Sequence, residues 1–255
     1  MKIVLDEYVV LDKALKDGIV DNRPTLTILV LAKHYLGEGC ERDRVIFNIN
    51  NFMCKHYQGY IFANWQKTIR NIVDKVNRRG DFNLVNIKEV MIYKEELNVV
   101  KSISNLKFER LAFTLLVYAK IYNILNKNNT NWVNAEFKDV LNDTGMRISR
   151  YDGALMVYEL KKKGLLQPSR IVDSTNIKVL FAEDEGDVAF KVSHFDNIID
   201  YYYQWLEPEK YMNCEVCNVP VKKTSNRRRY CNKCGREKQL DWQRESMSKI
   251  RNVKR

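Results

Sequence analysis

The segments C-E-V-C at residues 214–217 and C-N-K-C at residues 231–234 are two C-x-x-C pairs, separated by thirteen residues that are mostly polar or basic. A gap of two residues lets both thiolates of a pair turn toward one ion. Two such pairs complete a closed tetrahedron with no position left for a substrate, so the spacing predicts one structural zinc ion. Its predicted ligands are Cys214, Cys217, Cys231 and Cys234.

Disulfides and iron are the two alternatives to zinc. Disulfides would require an oxidising compartment, and residues 1–10 lack both a basic start followed by an apolar core and a small-residue cleavage site. An iron site of the rubredoxin type has four thiolates at this spacing, but such sites usually have apolar surroundings. Here Arg227, Arg228 and Arg229 lie just before the second pair. We therefore favour zinc.

The second pair continues into a proline-free stretch with Leu240, Met247 and Ile250 at helical spacing, which predicts a hairpin followed by a helix. With C-E-V-C-N as the first knuckle and R-Y-C-N-K-C-G as the second, residues 211–255 resemble treble-clef and zinc-ribbon modules. The resemblance implies a docking platform for nucleic acid or for protein, and it does not choose between them.

Basic charge is concentrated in the same segment. The chain carries a net charge of +11, and the residues from Lys222 onward hold thirteen Lys or Arg against three acidic residues. A zinc ion with four thiolates leaves a charge of about −2, which adjacent arginines offset, but the basic residues extend well past the ligands. We expect this segment to contact nucleic-acid phosphates, a solubilising tail being the alternative. The candidate contacts are Arg227, Arg228, Arg229, Lys249, Arg251, Lys254 and Arg255.

Length and composition restrict the class of protein. With 255 residues, 45% of them hydrophobic, the chain is long enough for two or three small domains. No apolar run approaches the roughly 20 residues of a membrane span, so we expect a soluble, cytoplasmic protein without a membrane partner. Glycine-rich phosphate loops, H-E-x-x-H and G-x-S-x-G motifs are absent. The sequence therefore predicts a binding protein that is not an enzyme.

Residues 1–100 predict a helical domain, because apolar residues recur at helical spacing in residues 26–36, 45–53 and 65–76. The segments G-E-G at 37–39 and I-R-N-I-V at 69–73 resemble the helical domain at the C-terminus of some primases, which implies a link to replication.

Cys40 and Cys54, together with His34 and His56, lack the spacing of a metal site, and free cysteines are commonly buried. We expect these four residues to be structural. The sequence K-S-I-S-N at residues 101–105 is the predicted boundary with the next domain.

Residues 106–192 predict three helices followed by a small hairpin. A long apolar helix face from residue 106 is followed by a short helix at 135–142, a turn at Gly145 and a third helix at 147–163. Strands are predicted afterwards at residues 170–172, 177–181 and 188–192.

The segment E-L-K-K-K-G-L-L at residues 159–166 is similar to the end of the recognition helix in bacterial winged-helix regulators. The resemblance implies that the third helix enters the major groove of DNA, with Ala154, Val157 and Leu160 facing the core. Its N-terminal residues would then face base edges. The candidate contacts are Arg147, Ser149, Arg150, Tyr151, Lys161 and Arg170.

Two features depart from that pattern. The domain has little net charge, and the acidic turn at residues 183–187 would repel phosphates if it faced DNA. Winged helices also serve as protein-binding modules, so protein docking stays open. After this domain, Ser193 is the predicted N-cap of a connecting helix in residues 193–208, whose aromatic stripe is expected to pack on the winged-helix core.

The sequence thus predicts a mainly α (α+β) protein with an N-terminal helical domain, a central winged helix and a C-terminal four-cysteine zinc module. The predicted function is DNA binding, with RNA as a variant, in transcription or replication control and on a phage or other mobile element. The alternative is an adaptor that docks onto another protein or inhibits a host nucleic-acid enzyme.

Overall fold

The computed structural model describes residues 5–170 and 176–253. The chain is mainly α with small antiparallel sheets, as expected. It divides into two compact units, which we call the N-terminal unit (Ile3–Lys88) and the C-terminal unit (from Glu89 onward). Within the described ranges, no helix is long and apolar enough to cross a membrane.

The N-terminal unit is a four-helix bundle. Its helices are α1 (Glu7–Asp17), α2 (Pro24–Gly37), α3 (Arg42–His56) and α4 (Phe62–Arg79). The three helices predicted from apolar spacing are confirmed as α2, α3 and α4. Asp6 begins α1 by accepting hydrogen bonds from the amides of Tyr8 and Val9. The buried core includes Ile28, Leu31, Ile49, Ile69 and Val73.

The division between the units lies near residue 88 rather than at the predicted segment 101–105. Strand β1 (Val90–Tyr93) pairs antiparallel with β5 (Val188–Val192). Helix α5 (Lys94–Ser102) packs against β1. Residues 90–102 therefore belong to the C-terminal unit, because their partners come from much later in the chain.

Three helices and three strands follow in the order helix, strand, helix, helix, strand, strand. They are α6 (Leu106–Leu125), β2 (Trp132–Val133), α7 (Phe137–Asp143), α8 (Arg150–Lys162), β3 (Leu166–Pro168) and β4 (Ile177–Val179). The strands form an antiparallel sheet in the order β2-β4-β3. Helix α6 is the centre of this unit: its residues 111–121 are all buried.

One predicted boundary in this region is wrong. Helix α8 begins at Arg150 rather than at residue 147, because Ser149 caps it and leaves Arg147 in the preceding loop. The described first strand of the hairpin is β3, because Gly164, with φ 73°, ends the helical turn and the buried Leu166 enters the sheet at once. The strand predicted at residues 170–172 lies mostly outside the described residues. Residues 171–175 lie outside the described residues.

The strand predicted at residues 188–192 is confirmed as β5, but its position in the fold is not the expected one. It pairs with β1 in a separate two-stranded sheet, and the third strand beside the hairpin is β2. Only two residues of β2 pair with β4. A strand this short is not predictable from the alternation of apolar and polar residues.

The turn at residues 183–187 is held by a buried ion pair. Lys120 Nζ lies 2.8 Å from Glu96 Oε1 and donates a 2.8 Å hydrogen bond to the Glu183 carbonyl oxygen. The Glu96 carboxylate also accepts hydrogen bonds from the amides of Tyr93 and Glu183. The acidic turn is therefore anchored to β1, α5 and α6, and it is not part of the β3–β4 hairpin.

Helix α9 (Ile199–Leu206) starts later than predicted, with Ile198 rather than Ser193 at its N-cap. The Ser193 and His194 amides instead donate to the Tyr201 hydroxyl. Tyr202 stacks on Phe113 of α6, with ring centroids 5.2 Å apart, so the aromatic stripe packs on α6 as expected.

The last elements form a hairpin and a long helix. They are a 3₁₀ turn (Pro208–Lys210), β6 (Tyr211–Asn213), β7 (Pro220–Lys222) and α10 (Asn232–Val253). Strands β6 and β7 pair antiparallel, and β7 packs against α9. The predicted hairpin followed by a helix is confirmed.

Candidate metal centre and nucleic-acid interface

The hairpin and the start of α10 bring the four predicted ligands together. Cys214 and Cys217 lie in the turn between β6 and β7, where Asn218, with φ 58°, reverses the chain. Cys231 directly precedes α10, and Cys234 lies in its first turn. The Cys214 and Val219 backbones close the first knuckle with a 2.9 Å hydrogen bond.

The four sulfur atoms are spaced for a tetrahedral metal site. All lie within 4.8 Å of one another, and the Sγ atoms of Cys217 and Cys231 are 3.8 Å apart. A tetrahedral ion with metal–sulfur bonds of about 2.3 Å requires sulfur–sulfur distances of about 3.8 Å. These four thiols can therefore hold one metal ion.

Backbone amides support negative charge on this cluster. The Cys231 amide donates to Cys214 Sγ and the Cys234 amide to Cys231 Sγ, both at 3.3 Å. Burial opposes ionisation of the Cys214 thiol, but amide hydrogen bonds, including one from Cys217, lower its pKa to about 6. Hydrogen bonding with Cys231, together with burial, raises the pKa of Cys234 to about 12. Four thiols this close cannot all ionise without a cation between them.

Cys40 and Cys54 do not form a second centre. Among the described residues, the four C-terminal cysteines are the only group placed to share an ion. Cys40 packs against the core of the N-terminal unit and Cys54 is exposed. The burial expected of free cysteines therefore holds in part for Cys40 and does not hold for Cys54.

The three arginines before Cys231 have different surroundings. Arg228 donates to Thr224 Oγ1 at 3.2 Å and to Asn232 Oδ1 at 3.0 Å, so it braces the loop against α10. Arg229 Nε lies 3.8 Å from a Glu215 carboxylate oxygen in an exposed pair. Arg227 is exposed and has no partner within the described part of the chain. Arg227 is therefore the arginine of the three that is freest to contact a ligand.

Helix α10 leaves large apolar side chains in solvent. Leu240, Trp242 and Met247 are 44%, 67% and 54% exposed. The backbone at Lys249 and Arg251 is helical, but their side chains lie outside the described part of the structure, as do residues Lys254 and Arg255. The contacts predicted for these four residues stay predictions.

Helix α8 buries one face and exposes the other. Gly153, Met156, Val157 and Leu160 are buried, whereas Ala154, predicted to face the core, is exposed. A Cβ atom at Gly153 would lie 2.8 Å from the Leu141 side chain, so α7 and α8 approach closely there and a larger residue would force Leu141 to move. The core position is thus one residue earlier than the prediction placed it.

The predicted contact residues on and near α8 are all exposed, but they do not all have the expected role. Ser149 Oγ accepts a 3.0 Å hydrogen bond from the Asp152 amide and lies 2.7 Å from its carboxylate, so it caps the helix. Arg150 and Tyr151 occupy the first turn, with Tyr151 72% exposed. Lys161 lies in the last turn, and Arg170 lies in a bend after β3.

The loop that carries Arg147 is fixed at one end. Arg110 of α6 donates two hydrogen bonds to the Thr144 carbonyl oxygen, from Nε at 3.0 Å and from Nη2 at 2.6 Å. The backbone that leads into α8 is therefore tied to the central helix, which fixes where the first turn of α8 begins.

The sequence analysis missed two exposed residues of α8, Leu155 and Tyr158, which are 47% and 51% exposed and lie on the face that carries Tyr151. Together with Tyr151 they follow the i, i+4, i+7 spacing of one helix face, which is the signal that could have found them. A cavity of about 310 Å³ lies between α8 and strands β3 and β4, with Arg150 and Lys161 at its edge and Phe137, Val157 and Ile177 among its apolar lining.

Comparison with known proteins found no protein-family model, no curated protein and no solved structure that matches this chain. Its function must therefore be inferred from the geometry of these sites.

Proposed function

We propose that this chain binds duplex DNA, with α8 reading base edges in the major groove and the four-cysteine module and α10 contacting phosphates. The observation that carries the proposal is the exposed N-terminal turn of α8, with Arg150 and Tyr151 in solvent and Arg147 in the anchored loop before it. N-terminal residues of a recognition helix make the base contacts in helix-turn-helix proteins.

The arrangement around α8 supports a winged helix. Helices α6, α7 and α8 precede the β3–β4 hairpin, and β2 adds the third strand in the order β2-β4-β3. In this fold the hairpin lies beside the recognition helix, and here β3 packs against α8. The acidic turn at 183–187, an objection at the level of sequence, is anchored to β1 and α5 instead of to the hairpin.

The residues at the start of α8 have the chemistry for reading bases. An arginine can donate two hydrogen bonds to a guanine, and a tyrosine can contact a thymine methyl or a phosphate. Ser149 is committed to its cap and is a positioning residue in this proposal. In this proposal Lys161 and Arg170, which are both exposed, contact phosphates.

We propose zinc as the ion held by the four thiols. Tetrahedral sulfur coordination suits zinc, and a closed set of four ligands leaves no position for catalysis. The ion would fix the hairpin on the first turn of α10 and thereby orient the basic helix. Arg227 and the basic residues of α10 would then contact phosphates without reading sequence.

The proposal is tested by selecting fragments that the purified full-length protein binds from random duplex DNA. Enrichment of one motif, lost when Arg150 is changed to Ala, is the expected result. Uniform weak binding of all fragments would contradict base reading by α8. The cellular setting that we propose, cytoplasmic control of transcription or replication on a phage or other mobile element, would be tested by the genomic position of the enriched motif.

Protein docking is the second candidate, and one observation favours it. Tyr151, Leu155 and Tyr158 form an apolar and aromatic face on α8, where a DNA-reading helix usually carries polar residues. Changing Leu155 to Gln separates the candidates, because it removes apolar area from a protein interface and adds no charge that would repel DNA phosphates.

A further inference from the structure

A groove of the N-terminal unit lies between α3 and α4. It has a volume of about 760 Å³ and receives residues from both helices and from the loop that joins them. Its lining residues on α4 are Phe62, Gln66 and Arg70, spaced four residues apart on one face. Eight residues of helix measure about 12 Å, so the groove can receive a short extended ligand.

Two phenylalanine rings border this groove from opposite helices. Phe47 on α3 is 55% exposed and Phe62 at the start of α4 is 54% exposed. The Arg44 guanidinium carbon lies 5.6 Å from the centre of the Phe47 ring. Unpaired bases stack on aromatic rings and on the planes of guanidinium groups. Phe47 and Arg44 supply one of each.

Polar groups between the rings are available to a ligand. The amides of Asn51 and Gln66 line the groove and have no hydrogen-bond partner in the described part of the chain. Amide side chains donate and accept, which suits the edges of nucleobases. Asn50, by contrast, is occupied by the Ile46 carbonyl oxygen and the Tyr60 hydroxyl.

The charge of the groove suits an anionic ligand. Its single carboxylate is Asp43, which is 2.6 Å from Arg42 Nη1, and Arg42 also pairs with Asp74. Arg70 lines the groove, and Arg44, which is not a lining residue, lies beside the Phe47 ring that borders it. Neither arginine forms an ion pair with a carboxylate among the described residues. A basic peptide would therefore find no free carboxylate here, whereas a phosphate backbone would find two exposed guanidinium groups.

We infer that the α3–α4 groove binds unpaired bases of a single-stranded nucleic acid, by stacking on Phe47 and Phe62 with Arg44 and Arg70 on the phosphates. Duplex DNA cannot use the groove in this way because its base faces are already stacked. The inference is independent of duplex binding by α8, since it concerns other residues and another form of nucleic acid.

The test compares two ligands of equal charge in the full-length protein: a labelled oligothymidine and the same strand with abasic sites in place of the bases. Stacking requires the base, whereas the basic C-terminal segment binds either strand through phosphates. Fluorescence anisotropy gives the affinity of each variant for each strand, and circular dichroism checks that each variant is folded.

Phe47→Ala and Phe62→Ala should each weaken binding of oligothymidine by about 5- to 150-fold and leave abasic-strand binding unchanged. Ile61→Ala is the matched control, because Ile61 is 59% exposed, neighbours Phe62 and does not line the groove. Equal affinity of parent and both phenylalanine variants for oligothymidine would overturn the inference. An equal loss for Ile61→Ala, or an equal loss on the abasic strand, would overturn it too.

Discussion

The Sγ atoms of Cys217 in the hairpin and Cys231 before α10 lie 3.8 Å apart, within a cluster in which all four thiol sulfurs are within 4.8 Å of one another. Two segments separated by thirteen residues thus meet at one point with the spacing of a tetrahedral site. Little apolar surface holds them there: the buried cluster of this module contains Val221 and two of the ligands themselves. We therefore propose that a metal ion held by these four thiols stabilises the module.

We expect one zinc ion per chain, lost when Cys217 or Cys231 is changed to Ser. Elemental analysis of purified protein measures the ion, and the number of reactive thiols should rise by about four on chelation, because Cys40 and Cys54 lie outside the cluster. The double variant Cys40→Ser/Cys54→Ser is the control and should retain the ion. Metal-free protein with six reactive thiols would contradict the site.

The second prediction concerns the buried pair of Lys120 and Glu96. Lys120→Met should reduce the free energy of unfolding by about 3–5 kcal/mol, because it leaves the fully buried Glu96 carboxylate without its counter-charge. Burial already raises the pKa of Glu96 despite its hydrogen bonds with Lys120 and the backbone. Denaturant unfolding measures the loss.

The exposed pair of Lys94 and Asp187 supplies the control. Their side chains are 59% and 74% exposed, so Lys94→Met should change stability by less than about 1 kcal/mol. Adding Glu96→Gln to Lys120→Met should recover part of the loss, because the amide oxygen still accepts a hydrogen bond without carrying charge. A Lys120→Met protein as stable as the Lys94→Met protein would show that the pair contributes little.

Local patterns in the sequence were sufficient for most helices and for the metal ligands. C-x-x-C spacing fixes which thiols can share an ion, because the geometry is set within each pair. Apolar residues at helical spacing predicted α2, α3, α4 and α6, although the buried residues of α6 between 111 and 121 surround the whole helix.

The features that the sequence did not predict depend on contacts between residues far apart in the chain. Val90 pairs with Val192, about 100 residues away, and no local signal joins them. The one-residue shift on α8, where Gly153 rather than Ala154 faces the core, follows from the approach of Leu141 on another helix. Ser149 was expected to face DNA, and only the position of the first turn shows that its hydroxyl caps the helix.

The third prediction concerns the basic end of the chain. Changing Lys249, Arg251, Lys254 and Arg255 to Gln should flatten the slope of log K against log salt for duplex binding by about three to four, because each lost phosphate contact releases about 0.9 fewer counterions. Binding should weaken similarly for every duplex, since phosphates carry no sequence information. Affinities measured over a series of salt concentrations give the slopes.

A variant with the same loss of charge elsewhere is the control for this experiment. Four exposed lysines of the N-terminal unit without described partners, when changed to Gln, should leave the slope nearly unchanged. They are Lys13, Lys55, Lys67 and Lys75. Equal slopes for the parent and the C-terminal variant, both loaded with metal, would make the basic end a solubility feature.

The central claim, that α8 reads sequence, is tested most directly by the affinity of the parent and of Arg150→Ala for a selected duplex and for a scrambled duplex of the same length. We predict a loss of about 1–3 kcal/mol on the selected duplex and little change on the scrambled one, because a base contact discriminates and a phosphate contact does not. Arg147→Ala should behave in the same way, and Lys94→Ala, a change to an exposed cation on α5, should affect neither duplex. If the arginine variants bind the selected duplex as tightly as the parent does, α8 does not read bases and the proposed sequence-specific DNA binding is wrong.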